Sequence, residues 1–531
     1  MTVYGIDLGT CYSCIARNDG AGIVMPVELI NNNGKNFVPS VVTFDKVTGQ
    51  PKVGDTGKAC LRTRPECTKA FVKREMNREY CESEISIAGK MRKISPVEVS
   101  ACILKHLFDG ANQVETGAGR QRATQAVITV PAKFDEKQRA RTRLAAEMAG
   151  IQVLGLIQEP TAAAIAYDIP AGNTVLVFDL GGGTLDVSIV TNDRGNYKVI
   201  GTPAGNDKLG GMDWDEKIIN LAFQKVGQRP DKSNLKQWNL LMSRAEKIKH
   251  ALTDNEVIVD DEVDEGNIIE DEEIEIERSD FENMSRDLLD KCWQVVDKAI
   301  ENAMAQNPKV KIDFFLTVGG SSRMPMIRKG LAERYGSIYG KGKTEEEWLR
   351  INKPDTAIAI GAAKYAQMLA KGEATSDLKT LEDKSTHSYG LSIIKEGKEI
   401  IKNLVKSSDP IVFQQKYKEL YFNEESNAIQ ITIYENDVTK DYAAIDDKAK
   451  IIYDKPFRVK DVQKRETPLD VSIFRDRDGL ISITVGCCGQ QQVINVNSPL
   501  DIIDEKTKAN IEHSLSLMQI AKTLKPVLYH I

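Results

Sequence analysis

Apolar, β-branched residues fill positions 174–178, a run that predicts a buried strand. Asp179, Leu180 and three glycines, Gly181, Gly182 and Gly183, follow, and apolar positions resume over 185–190, so the stretch reads as strand, tight turn, strand. The N-terminus repeats it: apolar residues lead into Asp7, Leu8, Gly9 and Thr10, and positions 12–16 form the return strand. Two copies in one chain predict two related lobes. Further strand-like runs at 126–130, 151–157 and 314–318 alternate with stretches of helical period. Ser95, Pro96 and Glu98 have the spacing of a capping box ahead of the apolar positions Val99, Cys102, Ile103 and Leu107. Other helices are expected over 136–149, after Thr161 as cap, after the Gly210-Gly211 turn, over 240–252, as one long amphipathic helix over 281–304, and over 357–370. Gly361, Ala362 and Ala363 leave the last of these a face small enough for close packing. Alternating strands and helices predict an α/β class.

The texture changes after position 370. Residues 371–387 are polar without periodicity and read as a linker. Short strands at 391–394, 400–405, 429–434, 469–474 and 481–485 then predict an antiparallel β-domain, with Asp476-Arg477-Asp478-Gly479 as a hairpin turn. From 499 onward the chain is expected to turn helical, over 504–522. The expected organisation is a domain over 1–370, a linker over 371–387, a β-sandwich over 388–498 and a short helical segment over 499–531.

Composition narrows the partners. With 531 residues, 41% hydrophobic and 28% charged, the chain reads as a soluble multidomain protein. A net charge of −6 argues against holding nucleic acid by phosphate neutralisation. There is no basic-then-apolar leader and no apolar run near the ~20 residues a bilayer needs, so the expected location is cytoplasmic, without a membrane role. Nine scattered cysteines fit reduced thiols. Cys11 and Cys14 are spaced C-x-x-C, but on a hairpin and not at a helix start, which disfavours a thioredoxin-like role. Between His250 and Glu277 there is no Lys or Arg; a solvated acidic hairpin is the plain reading, a docking face for a basic partner the other.

The glycine turns carry the candidate chemistry. Glycines lack Cβ, so consecutive N–H groups can close on a phosphate. Asp179 at the strand end can hold the hydration shell of Mg²⁺, and Thr184 and Asp186 add a hydroxyl and a second carboxylate. Triple glycine alone also fits a flexible turn; with the strand and two carboxylates beside it, a phosphate loop is the stronger reading. A third glycine turn, 319–325, lies between a strand and a helix and suits the ribose and phosphate side of a nucleotide. Lobes that clamp a phosphate chain from opposite sides resemble the actin-like ATPase superfamily, which includes actin, sugar kinases and DnaK-type chaperones.

The motif order is more specific. Gly5 through Thr10, Val127 through Phe134, Glu159 through Ala164, Phe178 through Val187 and Val318 through Arg323 together resemble the DnaK-type heat-shock 70 kDa chaperone family, over residues 1 to ~370 and more weakly to about Asn495. The resemblance implies a two-lobed actin-like ATPase domain, an antiparallel β-sandwich that binds extended apolar peptides, and a short C-terminal helical segment. It implies ATP or ADP with Mg²⁺, K⁺ as a further candidate cation, unfolded client polypeptides, a J-domain partner and a nucleotide-exchange factor. By position, Asp7, Glu159 and Asp179 would hold Mg²⁺ through water. Thr10, Cys11, Tyr12, Gly181, Gly182, Gly183 and Thr184 would cradle phosphates, and Lys73 would meet the γ-phosphate and the attacking water, which Asp186 helps orient. Glu246, Lys249 and His250 would flank adenosine, with Gly320, Ser321, Arg323 and Asp355 opposite. Pro131 and Arg139 match the pair that relays nucleotide state in the family.

The chain departs from the family in its nucleotide site, its linker and its C-terminal segment. His250 stands where an adenine-stacking Arg is usual, and Cys11 where Thr is; weaker nucleotide affinity is expected, and oxidation of Cys11 would block nucleotide. The linker reads Lys379-Thr380-Leu381-Glu382-Asp383 in place of a leucine-rich run, which implies weak coupling of ATP to peptide. The segment after Pro499 is shorter than the family's helical lid, which implies loose peptide retention. Ile429 and Ile431 fall near the strand that lines the family's peptide channel, the reading preferred here, although alternating apolar residues on a strand are more often plain core. The leading expectation is an ATP-dependent chaperone with ATPase activity. The alternative is an ATP-binding scaffold with weak hydrolysis and an interaction-only β-domain. A sugar kinase or filament ATPase fits the hinge motifs but not a linker and β-domain.

Overall fold

The structure, a computed structural model, describes all residues except 1, 30–33, 261–267, 270–272, 352–353, 372–380, 383–386, 408, 410–412, 423, 477–480, 497–502 and 524–531. Most of the expected linker and most of the 476–479 turn therefore lie outside the described residues. The chain divides into two compact units, one of residues 1–132, 142–380 and 504–531, the other of residues 133–141 and 381–503.

Two sheets with the same topology build the first unit. In one, the strands run in the order Gln152–Gln158, Gln125–Val130, Val3–Asp7, Tyr12–Asn18, Val24–Pro26. In the other the order is Leu349–Ile351, Phe314–Val318, Thr174–Leu180, Leu185–Asp193, Asn196–Asn206. In both, the first three strands are mutually parallel and each of the last two pairs antiparallel with the strand before it. The matching hairpins, Asp7 opposite Cys14 and Asp179 opposite Asp186, are therefore equivalent corners of two related lobes. The central strands are apolar on both faces because helices cover them, as parallel sheets require. One such cover is the helix Ala357–Ala370, which crosses Val3–Asp7 and the helix Glu159–Ala166. A Cβ at Gly361 would lie 1.7 Å from the Ala162 carbonyl oxygen, so glycine is required at that crossing.

Helix boundaries depart from the expected ones in three places. Thr161 is not a cap: the helix begins at Glu159, and Thr161 is buried inside its first turn. Ser95 does cap its helix, accepting from the Val97 N–H, but Glu98 does not reach back to complete a box. Its carboxylate takes a bidentate pair from Arg92 and a hydrogen bond from Ser514 on the helix Glu505–Thr523. The expected single helix over 281–304 is two, Arg278–Met284 and Arg286–Gln306, separated by the buried Ser285.

The second unit is an antiparallel β-sandwich. One sheet runs Tyr442–Ala443, Lys398–Val405, Ser388–Lys395, Ser426–Asn436, Lys450–Gln463; the other runs Phe413–Tyr421, Pro468–Arg475, Ile481–Cys487, Gln490–Val496. Leu391, Ile433, Phe457, Val471 and Ile483 fill the space between them. Strands Phe413–Tyr421, Lys450–Gln463 and Gln490–Val496 are absent from the sequence expectation. Each is a sheet edge, and polar residues on edges erase the alternation that marks a strand. Ile431 is a member of this core and Ile429 packs against it, which is the plain reading of that alternation. No helix among the described residues is long and apolar enough to cross a membrane.

Candidate functional site

The two hairpin corners of the first unit open on one cavity of about 610 Å³, a size that suits a small-molecule ligand. Asp7 and Asp179 both line it, so the two repeats face a shared space. So do Thr10, Cys11 and Tyr12 from one turn, Gly181, Gly182 and Thr184 from the other, and Lys73 and Glu159 between them. Glu246, Lys249 and His250 form one wall and Gly320, Ser321, Arg323 and Asp355 another. Of the residues assigned to the nucleotide and its metal from sequence, only Gly183 and Asp186 stand behind the lining. Asp186 is buried across the ladder from Asp179, and the Gly183 carbonyl accepts from Arg74.

Local structure explains the placement. Asp7 and Asp179 each sit at the end of a buried strand, where the chain must turn out of the sheet. Glu159 is the first residue of its helix, directly after the strand Gln152–Gln158, so its carboxylate also emerges at the sheet edge. Lys73 lies in the short 3₁₀ turn Val72–Glu75. The turns pack closely: a Cβ at Gly182 would lie 2.3 Å from Cys11 Sγ, so with Cys11 in place the approach of the two loops needs glycine.

Electrostatics set the site apart. Burial lifts Asp7 to about 7, against the pull of Lys73 and with the push of Glu159; Thr129 Oγ1 donates to it at 3.1 Å. Burial raises Asp179 well above the carboxylate range, with Glu159, Asp186 and Asp7 adding to the push. Lys73 Nζ meets Glu159 Oε1 at 2.5 Å. Burial would lower the Lys73 pKa, but Glu159, Asp7 and Asp179 outweigh it and hold the ammonium charged. Buried carboxylates thus crowd around one lysine, a charge balance that a bound cation would restore. No three Asp, Glu, His or Cys side chains among the described residues converge at direct metal-ligand distance. The acids fit a hydrated Mg²⁺, which gives up its water reluctantly.

Two groups without a sequence signal join the wall. Lys58, on the helix Asp55–Thr63, donates to Tyr12 Oη at 2.5 Å and pairs with Glu246; Tyr12 Oη also donates to Glu246 at 3.0 Å. Asp215 pairs with Lys249 at 2.6 Å, and burial, opposed by Lys249, lifts it to about 6. Asp215 was visible in the Gly210–Asp215 stretch only as part of a helix start; nothing distinguishes Lys58 from a surface lysine. His250 is held below its ordinary range by desolvation and by Lys249, so its imidazole is neutral near pH 7. Arg323 Nε donates to Asp355 Oδ2 at 3.0 Å and fixes the opposite wall. Cys11 is a thiol rather than a thiolate, pushed up to about 12 by burial and by Glu246, which disfavours its oxidation.

Comparison with known proteins agrees with this geometry. Residues 3–514 match the family described as Hsp70 protein. The chain is 36% identical over 379 residues to the protein named Chaperone protein DnaK of Mycoplasmoides gallisepticum, covering 69% of this chain and 60% of that one. It is 36% identical over 382 residues to the Chaperone protein DnaK of Mycoplasmopsis agalactiae, covering 69% and 59%. The chain thus spans about 60% of the length of these curated relatives. With paired lobes, facing glycine turns and a family match along nearly all its length, the chain belongs to the Hsp70 protein family.

Proposed function

We propose that the cavity binds ATP with Mg²⁺ and hydrolyses it to ADP, and that the β-sandwich unit binds extended apolar segments of unfolded polypeptides, whose release follows the nucleotide state. The convergence of Asp7, Glu159, Asp179 and Lys73 on the space between the two glycine turns carries this reading. Phosphoryl transfer to water needs positioning and charge neutralisation more than covalent help. Mg²⁺ would supply neutralising charge to the β- and γ-phosphates. Asp7, Glu159 and Asp179 would hold its water shell. Lys73 would exchange its Glu159 partner for the γ-phosphate and the attacking water, which Asp186 would help orient through the carboxylate cluster. The N–H groups of the two turns, with Thr10 and Thr184, would bind phosphate oxygens. Glu246, Lys249 and His250 would hold adenosine against the Arg323–Asp355 wall.

The names of the two relatives support a chaperone role; a J-domain partner and a nucleotide-exchange factor are the partners proposed for it. The test is the ATPase rate of the full chain with and without an unfolded peptide. Stimulation by peptide supports the chaperone; a flat, near-zero rate with ATP still bound supports the scaffold.

A further inference from the structure

The turn that joins strands Ile481–Cys487 and Gln490–Val496 carries two adjacent cysteines. Cys487 pairs with Gln490 across the ladder, which leaves Cys488 and Gly489 as a two-residue loop. Both have positive φ, 51° and 79°, as a type I′ turn demands. Asn, Asp or Gly suits the first loop position; a cysteine there costs about 1 kcal/mol or more of left-handed strain. An unfavourable residue held at such a turn points to a use. Along a strand, adjacent side chains point to opposite faces. Here the turn brings them to one side: Cys487 Sγ donates to Cys488 Sγ at 3.5 Å. Cys487 is 2% exposed, whereas Cys488 faces solvent and donates to Gln463 Oε1 at 3.2 Å. Burial and its neighbour Cys488 push the Cys487 thiol up to about 11, so the exposed sulfur is the one to react first.

We propose that Cys487 and Cys488 form a redox-sensitive vicinal pair on the β-sandwich unit, closed to a disulfide by peroxide. The Cys488 thiolate attacks one peroxide oxygen, the O–O bond breaks, and the released hydroxide takes a proton to become water. The resulting Cys488 sulfenic acid is attacked by the Cys487 sulfur, whose proton leaves with the displaced hydroxyl as a second water. Two thiols and one hydrogen peroxide give one disulfide and two waters. Adjacent Cα atoms are about 3.8 Å apart, closer than the roughly 4.4–6.8 Å of ordinary disulfides, so the bond is readily reduced and the change is reversible. Closure removes the S–H donor from Gln463, the last residue of Lys450–Gln463 in the facing sheet, and so alters the seam between the two sheets.

The reduced full chain, treated with excess hydrogen peroxide, alkylated with iodoacetamide and digested, provides the test. The peptide containing both cysteines is expected to be lighter by two hydrogens, to carry no alkyl group, and to recover two alkylation sites when dithiothreitol precedes labelling. In Cys487→Ser, Cys488 is expected to be trapped as a dimedone adduct of its sulfenic acid. Double alkylation of the peroxide-treated wild type, over-oxidation of Cys488 to sulfinic acid, or a crosslink to another cysteine would overturn the proposal.

Discussion

Lys73 is the cation around which the buried acids of the cavity are arranged. Lys73→Ala removes the charge proposed to meet the γ-phosphate but none of the backbone donors of the glycine turns. The expected result is single-turnover hydrolysis slowed by roughly 10²–10³-fold, with nucleotide affinity nearly unchanged. Normal hydrolysis in that variant would refute the role. His250 offers the converse test. Its imidazole is neutral near pH 7, so His250→Arg adds a permanent, planar cation to the wall proposed to hold adenosine. Nucleotide affinity by calorimetry is expected to tighten about two- to fivefold, the yield of a partly exposed cation–π contact of about 0.5–1 kcal/mol. Unchanged or weaker binding would separate His250 from the adenine. At this scale the sequence was legible where a residue type is rare in its setting, as with carboxylates at the ends of apolar strands. Lys58 and Asp215 were not legible, because their partners Glu246 and Lys249 come from a distant helix that only folding brings near.

Among the elements, the glycine hairpins were readable because their punctuation is local. Glycines between an apolar strand and its return dictate the turn whatever packs against it. Gly182→Ala tests why glycine is needed: the added Cβ would meet Cys11 Sγ at 2.3 Å and Cys11 Cβ at 2.8 Å. Overpacking of this kind costs about 1–3 kcal/mol, or roughly 5- to 150-fold in nucleotide affinity if it is all expressed in the loop. Adding Cys11→Gly in the same chain is expected to restore most of that loss, a coupling that a double-mutant cycle reads directly. Additive effects would mean that the loops do not need this approach. What the sequence hid is what depends on context. The edge strands of the sandwich lack alternation because one side has no neighbouring strand and both faces tolerate polar residues. Ser285 interrupts an otherwise continuous helical period, and no glycine or proline marks the break. Glu98 has the spacing of a capping residue, but Arg92 and Ser514 offer its carboxylate stronger partners than a backbone N–H.

At the scale of the whole molecule, the chain is two units with different chemistry, and one histidine gives the sandwich unit a pH dependence of its own. His387 Nδ1 lies 2.7 Å from Asp437 Oδ1. Burial lowers its pKa, but Glu435, Asp437 and Glu136 outweigh that, so the folded pKa is raised above its ordinary 6.5. A raised folded pKa gives stability that is fully present below the unfolded pKa and lost as pH rises through the folded one. The thermal midpoint of the sandwich unit is therefore expected to fall as pH rises above the ordinary histidine range, and His387→Gln is expected to flatten that slope. An equal slope in both proteins would assign the dependence to other groups. The first unit carries the central claim, that two repeated corners enclose one site for a magnesium nucleotide that is hydrolysed there. The most direct measurement is ATP turnover by the full chain in the presence of Mg²⁺, with and without an extended apolar peptide. Measurable hydrolysis that the peptide accelerates and that magnesium chelation abolishes is the expected result. A chain that binds ATP yet shows no hydrolysis under either condition would contradict it.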